Sequence, residues 1–274
     1  MIVEVDEVDD PHDPRVTDFV DLTDAAWRRR RERDEIFIAE GFVAVYRLLE
    51  SGHTVRAVLV ARRKLDRLTE LLASTTVGHV GAVPVYVAGE QVLAATVGFN
   101  LHRGVVAAAD RRPLAEVTTV LGSATRIAVL EGLNDPENLG LIARTAKAFG
   151  FDPLVLDPTC IDPYYRRTVR VSMGEILRLE VARSRSWPAD LDTIRAAGFE
   201  TWAMTPAADA TDLWDLDVPD RLAVVLGAEG QGLHGATLAR SYRRVRIPIS
   251  SAVDSINVGH AAAVTFAATT RSRH

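Results

Sequence analysis

One cysteine, Cys160, is all that the 274 residues contain. A disulfide framework within the chain is excluded, and the composition suits a reducing cytoplasm. The seven histidines and that cysteine form no spacing of metal ligands, so no metal is expected. No apolar run reaches the roughly 18 residues that a membrane span needs. The amino terminus carries acids where a secretory signal carries bases, and the expectation is a cytoplasmic protein. Low-complexity tracts and internal repeats are missing too, which sets solenoids aside. What is present is ordinary for a globular protein, 47% hydrophobic and 25% charged residues, in a length that suits two domains of about 150 residues each.

The net charge of −5 is unevenly spread. Residues 1–24 hold nine acids (Glu4, Asp6, Glu7, Asp9, Asp10, Asp13, Asp18, Asp21, Asp24) against one base, Arg15, a net of −8. The rest of the chain is therefore weakly basic, at +3, which is compatible with a nucleic-acid partner without requiring one. With Pro11, Pro14 and no sustained periodicity, residues 1–22 are expected to be a poorly packed extension. Two basic runs, Arg28 to Arg31 with Arg33, and Arg62, Arg63 and Lys64, read equally as phosphate contacts or as solvated helix faces.

Periodicity divides the chain into two α/β halves. Residues 34–39 alternate as a strand, and helical spacing follows as far as Gly52. Strand 55–61, a helix over 61–75, strand 83–88, a short helix over 89–98 and a closing strand within 102–110 complete the first half. A linker is expected near 111–122, around Pro113. The second half opens at 125–133 with a nearly continuous apolar run, as in a strand buried on both faces. Leu139, Ile142, Ala143, Ala146 and Phe149 then form a helical stripe that Gly150 ends. Further strands are expected at 152–158, 176–182, 198–205 and 221–227. Strands alternating with helices in this way predict a mainly parallel sheet, with ligands beyond its carboxyl ends.

Three segments carry polar residues that packing alone does not dictate. In LNDPENLG at 133–140, Asn134 and Asp135 precede Pro136, and Asn138 lies near the helix start, as a cap or as part of a site. Arg144 follows Asn138 at i+6, about 240° around an ideal helix. It either flanks a site at the helix's amino end or is a surface arginine. LGAEGQGL at 226–233 sets three glycines around Glu229. Such glycines permit positive φ and close backbone approach, although the spacing is not the GxGxxG dinucleotide pattern. After Pro248, Ser255 and Asn257 open an alanine-rich helix, as a cap pair or as site residues.

In this order the three segments resemble the signature motifs of the SpoU (TrmH-type) RNA 2′-O-ribose methyltransferase family of the SPOUT superfamily. The resemblance implies transfer of a methyl group from S-adenosyl-L-methionine to a ribose 2′-hydroxyl. Ribosomal RNA is favoured as substrate. The alternatives are transfer RNA, or a non-catalytic RNA-binding factor in ribosome assembly. It implies catalytic roles for Asn138, Arg144, Glu229, Ser255 and Asn257, and cofactor binding by Thr205, Leu226, Gly227, Ile247 and Ile256. A guanidinium stays charged below a pKa of about 12, so Arg144 is read as binding a phosphate or stabilising the developing alkoxide. The fold implied is α/β, with a carboxyl-terminal trefoil-knot methyltransferase domain over 120–274. A smaller ribosomal-protein-like α/β substrate-binding domain over 23–112 rests on RRRRERDEIFIAEG at 28–41 and GFNLHRGVVAAADR at 98–111. A homodimer is expected, to which the apolar helix at 257–269 is suited. One departure from the family pattern is Gly259 and His260 after the Asn-Val step, with His260 read as structural.

Overall fold

Apolar runs build two separate sheets in the computed structural model, which describes residues 5–23, 35–74 and 83–270. The chain divides into two units, Met1–Arg112 with Tyr164–Arg178, and Pro113–Pro163 with Leu179–His274. The basic run Arg28 to Arg33 lies outside the described residues.

The first unit holds strands β1 (Val5–Val8), β2 (Ile36–Glu40), β3 (Val55–Ala61), β4 (Val85–Ala88) and β5 (Val105–Asp110). Their order is β1-β4-β3-β5-β2. β1, β4 and β3 run parallel, while β5 is antiparallel to both β3 and β2. Helix α1 (Phe42–Glu50) buries Phe42, Val45, Leu48 and Leu49, the i, i+3 spacing of one apolar face. Helices α2 (Leu65–Ser74) and α3 (Glu90–Val97) follow their strands, and Gly98 ends α3 in the left-handed conformation at φ 80°.

The acidic segment departs from the expected loose extension. Val5–Val8 form β1 beside β4, and Val8, Val16, Phe19 and Leu22 are buried in one cluster with Leu93 and Val97. Full burial of such side chains contributes about 1.5–3 kcal/mol each, enough to anchor a segment whose average composition looks disordered. Its acids stay outside and meet arginines. Arg15 pairs with Asp13 at 2.7 Å and with Asp6 at 3.5 Å, and Glu7 pairs with Arg62. The hydrogen bond and charge of Arg62 hold the Glu7 carboxyl below the usual range. Arg63 of the second basic run is likewise paired, with Glu90.

The second unit runs through α4 (Val117–Val120), β6 (Arg126–Glu131), α5 (Pro136–Ala148) and β7 (Leu154–Leu156). The chain then enters the first unit, where it forms α6 (Arg166–Val171) and a 3-10 turn at Glu175–Arg178. There Tyr164 stacks on Phe37 with ring centroids 5.0 Å apart, and Arg166 and Arg47 pair with Glu40 and Glu175 at 2.8 and 2.7 Å. It returns as β8 (Val181–Arg183), followed by α7 (Asp190–Ala196), β9 (Glu200–Met204), β10 (Thr211–Asp212), β11 (Leu222–Gly227), α8 (Gly235–Arg240), β12 (Arg243–Arg246) and α9 (Val258–Thr270). The seven strands lie in the order β10-β12-β9-β11-β6-β7-β8, all parallel. On one face Ile127, Val129 and Val225 pack with Leu191 and Ile194 of α7. Elsewhere α9 packs on α5 and β11, with Phe266 stacked on Phe151 at 4.0 Å.

Three further expectations are corrected. The strand expected over 176–182 is a 3-10 turn and a shorter strand, because its apolar residues are divided between the two units. The expected linker near 111–122 does hold the division between the units, at Arg112 and Pro113, but its later part is folded. Ala115 bridges to Ala182, and Val117 and Val120 join the core around Leu191. β12 was not expected at all, since its sequence RRVR buries only Val245 and pairs its arginines with Glu200, Asp209 and Asp212. No helix among the described residues is long and apolar enough to cross a membrane.

Candidate active site

The polar residues of the three motifs are positioned by two helix starts and one strand end. Asp135 caps α5, its Oδ1 accepting from the Glu137 N–H at 2.7 Å, and Pro136 supplies the preset φ of the first turn. Asn138 is thus free of capping, and it is buried. At the other helix, the Asn257 Oδ1 accepts from the N–H groups of Gly259 and His260, at 2.8 and 3.3 Å, and so caps α9. Those two donors fix which way the Asn257 amide faces. Its Nδ2 must then point away from the helix, where it donates to the Asn138 Oδ1 at 2.9 Å and to the Glu229 Oε1. Asn257 is therefore both a cap and the bridge that joins the three motifs.

Gly227 ends β11 where the chain doubles back. A Cβ there would lie 2.4 Å from the Gly232 carbonyl carbon and 2.5 Å from the Leu233 nitrogen. Gly230 and Gly232 make the return possible with φ of 82° and 65°. The result is a wall of main chain along a cleft of about 660 Å³ at the carboxyl ends of β9 and β11. Thr205, Leu226, Gly227, Ile247 and Ile256, the five expected cofactor residues, all line it, together with Glu229, Ser255 and Asn257. Met204, Pro206, Ala228, Gly230, Gly232, Ile249, Asp254, Val258 and Ala261 complete the lining. Of these, the neighbours of the glycine loop were within reach of sequence reasoning, while Met204 and Ala261 read only as strand and helix core.

Arg144 is not brought into the cleft. It is exposed, about 9 Å along the helix axis from Asn138 at 1.5 Å per residue. Among the described residues no carboxylate pairs with it. Gly259, by contrast, is explained by packing: a Cβ would stand 3.1 Å from the Asn257 Oδ1 and 3.3 Å from the Leu141 Cβ. His260 is exposed and contacts the cluster through its main chain.

The electrostatics of the cleft are one-sided. Among the described residues, its lining holds two carboxylates, Glu229 and Asp254, and no lysine, arginine or histidine. Such a cleft suits a neutral or cationic ligand with apolar parts and disfavours a polyphosphate. No group of three or more His, Cys, Asp or Glu among the described residues is placed to hold a metal ion. Cys160 is no nucleophile: its buried thiol donates to the Leu130 carbonyl at 3.2 Å, and burial pushes it up to about 12.

One residue next to the cleft escaped sequence reasoning. Glu131, at the end of β6, pairs in register with Gly227 and is almost fully buried. An acid directly after the apolar run Ile127–Leu130 was the available signal.

Known proteins are similar to this chain in sequence and fold. Residues 125–267 match the SpoU rRNA Methylase family. An uncharacterized tRNA/rRNA methyltransferase of Mycobacterium tuberculosis is 44% identical over 99% of this chain and 94% of its own length. Among solved structures, an RNA 2′-O ribose methyltransferase superposes with a TM-score of 0.78 at 26% identity, covering 99% of both chains. The SpoU methyltransferase AviRb of Streptomyces viridochromogenes, solved in complex with AdoMet, gives 0.75 at 25% identity, covering 90% of this chain and 94% of AviRb.

Proposed function

The chain belongs to the SpoU rRNA methylase family, and on that premise we propose that this RNA methyltransferase acts on a ribose 2′-hydroxyl, in ribosomal RNA. S-adenosylmethionine is its cofactor. The observation that carries the reading is the cleft itself, walled by glycine main chain, lined by no cation among the described residues, and adjoining the Asn138–Asn257–Glu229 cluster. It fits the cofactor in chemistry as well as in size. Main-chain groups at Leu226, Gly227, Ile247 and Ile256 would hold the adenosine and methionine parts. The carboxylates favour a positive charge, and among the described residues no cationic side chain lines the cleft to balance a phosphate.

When bound, the cofactor supplies an electrophilic methyl group on a sulfonium. The chain's own residues must bring a ribose hydroxyl into line with it, and such alignment supplies much of the rate in a displacement. Asn257, its amide fixed by the helix cap, holds Glu229 and Asn138 at the end of the cleft. Ser255, exposed on the cleft wall, is available to the incoming ribose. Arg144, exposed and without a carboxylate partner among the described residues, carries a guanidinium whose planar fork suits a phosphate next to the target ribose or the developing alkoxide.

Ribose specificity is supported by the RNA 2′-O ribose methyltransferase that shares the fold at 26% identity. The choice of ribosomal RNA is supported by the separate amino-terminal α/β unit, which we read as the substrate-binding domain. We also read the carboxyl-terminal unit as the family's trefoil knot and as a dimerising unit. Trp214, Tyr242, Leu141 and Val253, all in that unit, are large apolar side chains left exposed, and a second copy would cover side chains of this kind. Light scattering coupled to gel filtration tests the dimer. Calorimetry with S-adenosylmethionine and its demethylated product, in the presence of a chelator, tests the cofactor. Nucleoside mass spectrometry of RNA methylated in vitro tests the position. Binding of neither compound, or methyl groups found on bases alone, overturns the reading.

A further inference from the structure

Glu131 is an ionisable group in an unusual place, 1% exposed and at the end of a buried parallel strand. A buried carboxylate is tolerated only where donors converge on it. Here they do. Its Oε1 accepts from the Trp187 Nε1 and from the Thr237 Oγ1, each at 2.6 Å, and its Oε2 accepts from the His234 N–H at 3.0 Å. The His234 ring nitrogen Nδ1 lies 3.2 Å from Oε1.

Where these donors come from is the informative part. Gly227, beside Glu131 in the β6–β11 register, begins the loop that lines the cleft. His234 and Thr237 stand at that loop's far end, at the start of α8, and Trp187 precedes α7. Both ends of the loop are therefore referred to one residue, the first to the Glu131 main chain through strand pairing and the second to its carboxylate through hydrogen bonds. Between them Ala228 bridges Gly232, and Glu229 reaches Asn257.

We infer that Glu131 is a positioning residue that holds the loop 228–233 closed at the geometry required for cofactor binding, without touching the cofactor itself. The inference rests on the reading of the cleft as the S-adenosylmethionine site. An amide does not replace the carboxylate. Glutamine has one accepting oxygen, so its NH₂ group must face either the His234 N–H or the Trp187 and Thr237 donors.

The test is Glu131→Gln in the intact chain, read by calorimetry with S-adenosylmethionine and by steady-state kinetics of methyl transfer to unmethylated RNA. The dissociation constant and KM for the cofactor should rise together by about tenfold, the expected effect of losing one charge-assisted hydrogen bond. kcat at saturating cofactor should stay within about threefold. A residue that merely stabilises the fold would instead lower the active fraction, reducing kcat at unchanged KM, and that result overturns the inference. Should Glu131→Gln fail to fold, Thr237→Val and Trp187→Phe each remove one donor and should each weaken cofactor binding several-fold. Native affinity in both overturns the inference as well. If the wild-type protein itself binds no S-adenosylmethionine, the cofactor reading fails rather than the role of Glu131.

Discussion

Around β1 and the turn at residues 62–64, charge is plentiful and is consumed locally: Glu7 meets Arg62, Glu90 meets Arg63, and Asp6 and Asp13 meet Arg15. Around the cleft, charge is sparse. Among the described residues two carboxylates and no cation line it, and its organising residue is a neutral amide, Asn257. The first region has the composition of a nucleic-acid contact and the second has none, yet the second holds the features that point to chemistry. Runs of like charge report little about function when opposite charges lie within reach in the fold. Isolated polar residues at strand ends and helix starts report more, because their contacts are specific.

The sharpest way to break this contrast is to close the cleft. Gly227→Val puts side-chain atoms where even a Cβ meets main chain at 2.4 Å. Cofactor binding should fall below detection in calorimetry, with circular dichroism confirming a folded protein. Retained binding would mean that the glycine wall is not the cofactor site.

Next in size is Arg144→Ala. Loss of a guanidinium that acts on the ribose or its phosphate should lower the single-turnover rate by about 10²–10³, while cofactor affinity stays within a factor of about three. Arg144→Lys should recover little, since an ammonium lacks the planar fork. A near-native rate in Arg144→Ala would remove this residue from the reaction.

Phe19→Ala tests the other region. Phe19 is fully buried in the cluster that anchors the acidic segment, so denaturant unfolding should show a loss of about 3–5 kcal/mol. A loose tail would show no change. The smallest effect is expected from Glu7→Gln, which frees Arg62. At neutral pH and low salt, affinity for unrelated RNA should rise by about twofold, and the difference should vanish near 1 M salt, where charges are screened beyond about 3 Å. Equal affinities of the two proteins at low salt would show that this pair does not mask the arginine.

How far the sequence reaches follows the same division. Strand β3 and helix α5 were legible because their apolar spacing is local and long enough to identify. The acidic strand and β12 were not, because in each the buried residues are few and lie among charges that neutralise one another only after folding. Of the site, Asn138, Glu229 and Asn257 stood out by their order along the chain, and they do meet. That Asn257 is the bridge was not legible: its bond to Asn138 spans 119 residues. The convergence on Glu131 was hidden in the same way, with Thr237 106 residues distant. Long-range pairing of this kind is set by strand order, which periodicity does not encode.

The central claim is that the chain methylates a ribose hydroxyl of RNA. Its most direct test is a transcriptome-wide map of 2′-O-methylated nucleotides in cells with and without the protein, complemented by the Arg144→Ala variant. A defined ribose in ribosomal RNA should lose its methyl group in cells lacking the protein, and wild type but not Arg144→Ala should restore it. Identical maps, or a loss confined to base methylation, would contradict the claim.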